Sequence, residues 1–335
     1  MAEPTSSLSY YDLILEVAKE AGIAYYGSSG QEQAMIPVDL HDFEECKHIV
    51  NSGIRMFISD APVKGWRWMR RIMAVAITAT RITGVVDSSS NTTLVDATLT
   101  ASYDTNDDLK DYWCYILTGT GQYSYAQVTG YTAATGTVTV DDWLDRYGNA
   151  GGTNPEADDT FAITPVETVE GNITRYPLPE NFGGTPDGPI EYEADSTHGT
   201  TIEWVDESRI RARQAINTLI DYPRYAAIRR LEYMSGGFGA KRRYELMIDK
   251  KPSAAEVVEF PYTLFFDELR MVAGLASGGS GTTLVDSSFA NHYPLDYFKD
   301  TWKCYVISGT GKNARGDVTG FTGSSFTVAV ADWLS

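Results

Sequence analysis

The pentapeptide Thr92-Thr93-Leu94-Val95-Asp96 (TTLVD) returns at Thr282–Asp286, 190 residues later. Its surroundings return with it. KDYWCYILTGTG (Lys110–Gly121) is matched by KDTWKCYVISGTG (Lys299–Gly311), VTGY (Val128–Tyr131) by VTGF (Val318–Phe321), and DDWL (Asp141–Leu144) by ADWL (Ala331–Leu334). Most matched places keep the 190-residue offset; pairing identical letters implies one residue lost before Lys299 and Lys303 gained just after Trp302. The texture is rich in Thr, Gly, Ser, Asp and β-branched residues, in short alternating runs such as CYILTG, YAQVTGY, GTVTVDDW and TFAITPV. Turn residues punctuate those runs, which is an all-β signature, and ATGTV has the look of a hairpin turn.

Two copies are too few for a solenoid or a propeller. They read as two β-modules of one fold, inserted into or appended to a host domain, with Trp113 and Trp302 expected at matching buried positions. After ADWL the second copy has only Ser335, so the strand TFAITP of the first copy has no counterpart. A sheet without that strand exposes unpaired backbone and an apolar edge. Either the native chain continues past residue 335, or another chain or segment covers the edge.

Working outward, residues 9–22 read as a helix. Ser9 and Asp12 form a capping-box pattern, Leu13, Val17 and Ala21 share one face, and Gly22 offers a stop. A second helix is expected from about Leu40 to Ser59, capped by Asp39, with Phe43, Cys46, Val50, Gly53 and Phe57 as its buried stripe. A third helical stretch, VKGWRWMRRIM, follows Pro62. Between the modules, IEYEA and TIEWV read as strands. DESRIRARQAINTLID reads as a helix starting at Asp206 or Ser208, with an apolar face of Ala212, Ala215, Ile216 and Leu219. PRYAAIRRLEY, RRYELMI and AEVVEFPYTL read as strands, with SGGFGAKRR (Ser235–Arg243) as a hairpin loop. The expected fold class is α+β: a helical unit over 1–80, a mixed strand and helix body over 165–275, and all-β modules over 81–164 and 276–335.

The 335 residues carry a net charge of −18, with 43% hydrophobic and 21% charged side chains. That is globular composition. The acidity argues against a protein that grips nucleic acid through phosphates, and would keep DNA from sticking to the wall of a channel. No apolar run reaches the roughly 18 residues of a membrane span. The N-terminus lacks the basic start and apolar stretch of a secretory signal, so a soluble protein made in the cytoplasm is expected.

No catalytic constellation, cofactor motif or metal pattern emerges. Cys46, Cys114 and Cys304 are scattered and odd in number. His41 and His48 share a helix without a third ligand, and no HExxH or GxSxG occurs. LTGTGQY and ISGTGKN lack the phosphate-loop pattern. DTNDDLKD (Asp104–Asp111) matches the first EF-hand ligand places but has Leu109 where glycine is required. WRWMRR is the candidate site. On a helix, Trp66 and Met69 would share one side, with Arg67, Arg70 and Arg71 clustered beside them and Trp68 beyond. Tryptophan and arginine are favoured at protein interfaces, so Trp66, Arg67, Arg70 and Arg71 are protein-contact candidates.

The order of segments carries a resemblance. NSGIRMF with a following tryptophan, LPENF, DYPRYAA and ELMIDKKPSA before FPY occur in the sequence in that order. In this the chain resembles the head-to-tail adaptor (connector, or neck) proteins of tailed bacteriophages, nearest the tail tubular A-like and phage adaptor groups, over about residues 8–80 and 165–270. The two β-modules are departures from that pattern. The resemblance implies a non-enzymatic virion protein forming a ring, typically of twelve copies, under the portal protein. Such a ring extends the DNA channel, without specific DNA binding, and presents a dock for the next neck or tail-tube component. Two alternatives stand beside it: a glycan- or host-binding fibre or baseplate component using the paired modules, and a glycoside hydrolase with a pair of acids.

Overall fold

The computed structural model describes residues 8–26, 30, 34–37, 39–62, 65–148, 151–179, 181–193, 196, 202–216, 220–231, 243–266, 269, 271–290, 293, 297–299, 302–306, 309, 311, 314–330 and 333. Strand residues outnumber helical ones by 37% to 18%, and there are three α-helices among the described residues. The expected α+β class is therefore overturned: the protein is mostly β.

Helix α1 (Tyr10–Glu20) starts in a complete capping box, with Ser9 accepting from the Asp12 N–H and Asp12 accepting from the Ser9 N–H. Helix α2 (Leu40–Ser59) is capped by Asp39. The two pack around Ile14, Ala18, Ile36, Phe43, Cys46 and Val50. On α1 the buried line is Ile14 and Ala18, one residue round from the expected face; Ala21 is exposed. On α2 the stripe runs from Val50 to half-buried Ile54, while Gly53 and Phe57 face outward. Buried Asn51 ties α2 to the Leu269 backbone by donating to its carbonyl (3.2 Å) and accepting from its N–H (2.8 Å).

No α-helix directly follows Pro62 among the described residues. A single 3-10 turn, Arg67–Met69, leads straight into the strand Arg70–Ile77. Met73 and Ile77 point into the main core while Arg70, Ile72, Ala74 and Ala76 point out. That period of two is a strand pattern, hidden in the sequence by the bulky WRWM run before it. The helical unit expected over 1–80 thus dissolves into a helix pair and a body strand.

The body is a sandwich of two sheets rather than a strand–helix mixture. In one, Glu256–Leu264 is central, flanked by Arg70–Ile77 on one side and by Phe182–Pro186 and Glu191–Tyr192 on the other. In the second the order is Glu203–Trp204, Tyr225–Arg230, Tyr244–Ile248, Arg175–Leu178. Their inner faces share one core that includes Tyr176, Phe182, Ile190, Leu246, Val258 and Phe260. Helix α3 (Glu207–Ile216) lies outside the second sheet and is anchored by Ile210 against Ala227 and Met247. Ala212 and Ala215 of its expected apolar face are exposed; the side chains of Ile216 and Leu219 lie outside the described residues, as does most of the 235–243 loop. One buried residue suffices because the helix covers a sheet that is already filled from its other face.

Among the described residues the first module is a seven-stranded sheet, ordered Ile82–Val85, Thr160–Thr164, Trp113–Thr118, Tyr125–Thr132, Thr137–Val140, Thr93–Val95, Ser88–Ser89. Its entry and exit strands pair directly, Ile82 opposite Ile163, so the chain leaves the body and returns beside itself. Among the described residues the second module has five strands, in the same relative order: Gly278–Gly279, Thr283–Val285, Thr327–Val330, Arg315–Thr322, Lys303–Tyr305.

The matching of Trp113 with Trp302 does not survive. Lys303 lies opposite Asp317 as Trp113 lies opposite Gln127, and the Trp302 carbonyl accepts from Val318 as the Tyr112 carbonyl accepts from Val128. Trp302 therefore replaces Tyr112, and no residue is gained at Lys303. Both tryptophans are half-buried. A one-place shift in a strand moves a side chain to the opposite face; Trp302 packs against its module core, while Trp113 leans on Tyr125 on the far face.

Candidate functional site

Two places gather chemistry-bearing side chains. The first is the WRWMRR segment. Met69 is buried and Trp66 half-buried, its ring stacked on Phe57 at 4.8 Å. Arg67, Trp68, Arg70, Arg71 and Ile72 are exposed. The arginines do not cluster on one helical face, since Arg70 and Arg71 sit on opposite sides of a strand. Arg70 approaches Asp187 (3.7 Å); Arg67 and Arg71 make no ion pair among the described residues. Among the described residues the strand itself pairs only with Glu256–Leu264. Its outer edge, eight residues long, carries no partner among the described residues, and Ile72 on it is 72% exposed. Sequence periodicity picked out the residues; the strand geometry makes them the end of an open sheet edge.

The second place was not foreseen. A cleft of about 330 Å³ opens between the first module and the second body sheet. Tyr115, Tyr123, Tyr125 and Tyr147 line it together with Arg146, Arg175, Arg229, Arg243, Glu167 and Glu170. An alternating chain of charges runs beneath it. Arg229 meets Glu207 (3.7 Å) and Glu245 (2.7 Å); Arg175 meets Glu245 (2.9 Å) and Glu170 (3.1 Å); Arg146 meets Glu170 (3.8 Å). Arg146 also lies over the Tyr123 ring at 4.7 Å. Burial pushes the Glu245 carboxyl up, against the opposing pull of Arg175 and Arg229. Burial likewise pushes Glu167 up, with Arg243 pulling it back, and raises the Tyr115 and Tyr125 hydroxyls. The lining comes from four stretches far apart in the sequence. Its one local signal was the basic run ending in Arg243.

Such a cleft offers aromatic faces, guanidiniums and carboxyl groups, a set that suits hydrogen bonding to a polyhydroxylated ligand. Elsewhere the sequence candidates resolve into structure. In the 104–111 turn, Asp108 accepts from the Thr105 N–H (3.2 Å), Asn106 from Ala133 (2.9 Å) and Asp107 from Tyr131 (3.2 Å). His41 and His48 are exposed on α2. Among the described residues no group of three or more His, Cys, Asp or Glu side chains is placed to hold a metal ion, and no helix is long and apolar enough to cross a membrane. No family model, curated protein or solved structure matches this chain.

Proposed function

We propose that this chain is a structural virion protein of a tailed phage, one subunit of a ring that joins the portal to the tail or neck and extends the DNA channel. It would be made in the host cytoplasm and reside in the neck. The observation that carries this reading is the open edge at Arg70–Ile77, with exposed Arg67, Trp68, Arg70, Arg71 and Ile72, on a chain of net charge −18. A basic, apolar edge on an acidic protein complements the acidic surface of the next copy. Unlike patches meeting head to tail form a ring where the rotation between copies closes. The acidic balance also suits a conduit that DNA passes without binding. The test is native mass spectrometry of the protein alone and with the portal protein of the same genome. A ring, formed alone or on the portal, is expected, and Arg67→Glu with Arg71→Glu should abolish it. A monomer or trimer indifferent to the portal overturns the reading.

A second reading rests on the tyrosine- and arginine-lined cleft. Stacked aromatics beside charged hydrogen-bonding groups suit a glycan, as in a fibre or baseplate component. Glycan-array binding lost on Tyr147→Ala and Arg146→Ala, in a protein that forms no ring, would favour it.

A further inference from the structure

The two modules share a strand order and so compare strand for strand. In the first, Trp113–Thr118 is flanked by Tyr125–Thr132 and by Thr160–Thr164. In the second, Lys303–Tyr305 pairs with Arg315–Thr322 and, among the described residues, with no strand on its other side. The Val306 N–H donates to Ala314 (2.8 Å) and the Trp302 carbonyl accepts from Val318 (3.0 Å). Antiparallel bonding alternates, so the N–H and C=O groups of Lys303 and Tyr305 face the open side. Their counterparts Trp113 and Tyr115 sit opposite Thr164 and Ala162.

Burial differs accordingly. Cys114, Tyr115 and Ile116 are buried, under a strand whose Phe161 and Ile163 are fully enclosed. Cys304, Tyr305 and Val306 are half-buried. The second module offsets part of the difference itself. Phe289 stands in the place of Leu99, close enough to Gly274 that a Cβ there would lie 2.7 Å from its ring, just as a Cβ on Gly84 would lie 2.6 Å from Phe161. On the far face, Tyr11 of α1 stacks on Tyr305 at 4.7 Å and holds the edge strand in place.

We propose that the Lys303–Val306 edge is a docking site for one extended segment of a partner polypeptide. The segment adds as an antiparallel strand, with apolar side chains at the two alternate places that face Cys304 and Val306. Strand addition of this kind draws affinity from main-chain hydrogen bonds and specificity from alternate side chains. The sister module supplies the pattern: Ile163 lies opposite Cys114 and Phe161 opposite Ile116. This assignment is independent of the ring reading.

The probe is a labelled peptide of residues 159–166 (DTFAITPV), with a Phe161→Ala version that allows for the ring of Phe289. Each is added to the full chain. Cys46 and Cys114 are fully buried, so thiol labelling of the folded protein reports Cys304. Saturable binding of at least one peptide, with Cys304 labelling slowed about tenfold, is expected; a peptide carrying Phe161→Asp and Ile163→Asp should do neither. Failure of both peptides to bind or protect overturns the proposal. So does Cys304 protection that rises with the protein's own concentration alone, which would assign the edge to a second copy.

Discussion

Gly136 and Phe326 occupy the same place in the two modules, and both have positive φ, 63° and 45°. In the first module a Cβ at Gly136 would clash with the Asp96 carbonyl. In the second, a phenylalanine accepts that backbone because its ring is buried among Phe289, Tyr293, Phe298 and Phe321. A non-glycine residue there costs about 1–3 kcal/mol, whereas deleting a buried phenylalanine costs about 3–5 kcal/mol. Packing wins, so Phe326→Gly should destabilise the protein by about 2 kcal/mol in a denaturant melt despite relaxing the backbone. The repeated aspartate of TTLVD works the same way twice. Asp96 caps the turn Ala97–Ala101 and Asp286 caps Ser287–Phe289, each through one oxygen, with the other oxygen buried beside Gly84 or Gly274. Gly84→Ala would drive a methyl into Asp96 and the Phe161 ring, and overpacking of this kind costs about 1–3 kcal/mol. A lowered melting temperature with Cys114 newly reactive to thiol reagents is the expected outcome.

At the scale of elements, Glu245 holds the second body sheet to its neighbours. It is fully buried on Tyr244–Ile248 and serves Arg175 and Arg229 at once. Glu245→Ala would leave two guanidiniums facing each other, and removing one partner of a buried pair costs about 3–5 kcal/mol. Because Glu170 and Glu207 remain as second partners, a loss near the lower end is expected by equilibrium unfolding. Helix α3 depends on Asp206, whose carboxyl accepts from the Ser208 N–H (2.9 Å). Hydrogen bonds from the Ser208 hydroxyl and N–H hold its pKa below the usual aspartate range. A depressed folded-state pKa contributes stability above the ordinary aspartate value and loses it as pH falls through the depressed one. Thermal melts across that acid range should show wild-type stability falling relative to Asp206→Asn, whose amide keeps a cap that does not titrate.

The largest-scale features are the open edges. Arg70–Ile77 and Lys303–Tyr305 each pair on one side among the described residues, and an open edge presents unpaired backbone groups to a further chain. The ring experiment addresses the first and the peptide experiment the second. Disrupting one should leave the other intact, because the first edge belongs to the body sandwich and the second to a separate sheet.

How far the sequence could be read depended on whether the deciding signal was local. The caps at Ser9, Asp39 and Asp206 are contacts across two or three residues, so helix starts were legible. The module repeat was legible because it is written twice. Three other features were not. Pairing identical tryptophans misplaced Trp302 by one position, since backbone register, not letter identity, decides which face a strand residue takes. WRWMRRIM carried helix-like spacing, yet Arg70–Ile77 became a strand because Glu256–Leu264, some 190 residues away, offers it a full ladder of partners. The charged cleft assembled from residues 115 to 243 has no local signature beyond the basic run ending in Arg243. The sequence by itself determined local hydrogen bonding, repeat and charge. Only the tertiary structure decided which sheet each strand joined, and so the mostly-β class, the cleft and the open edges, because strand pairing is a non-local choice settled by the partner and not by the strand.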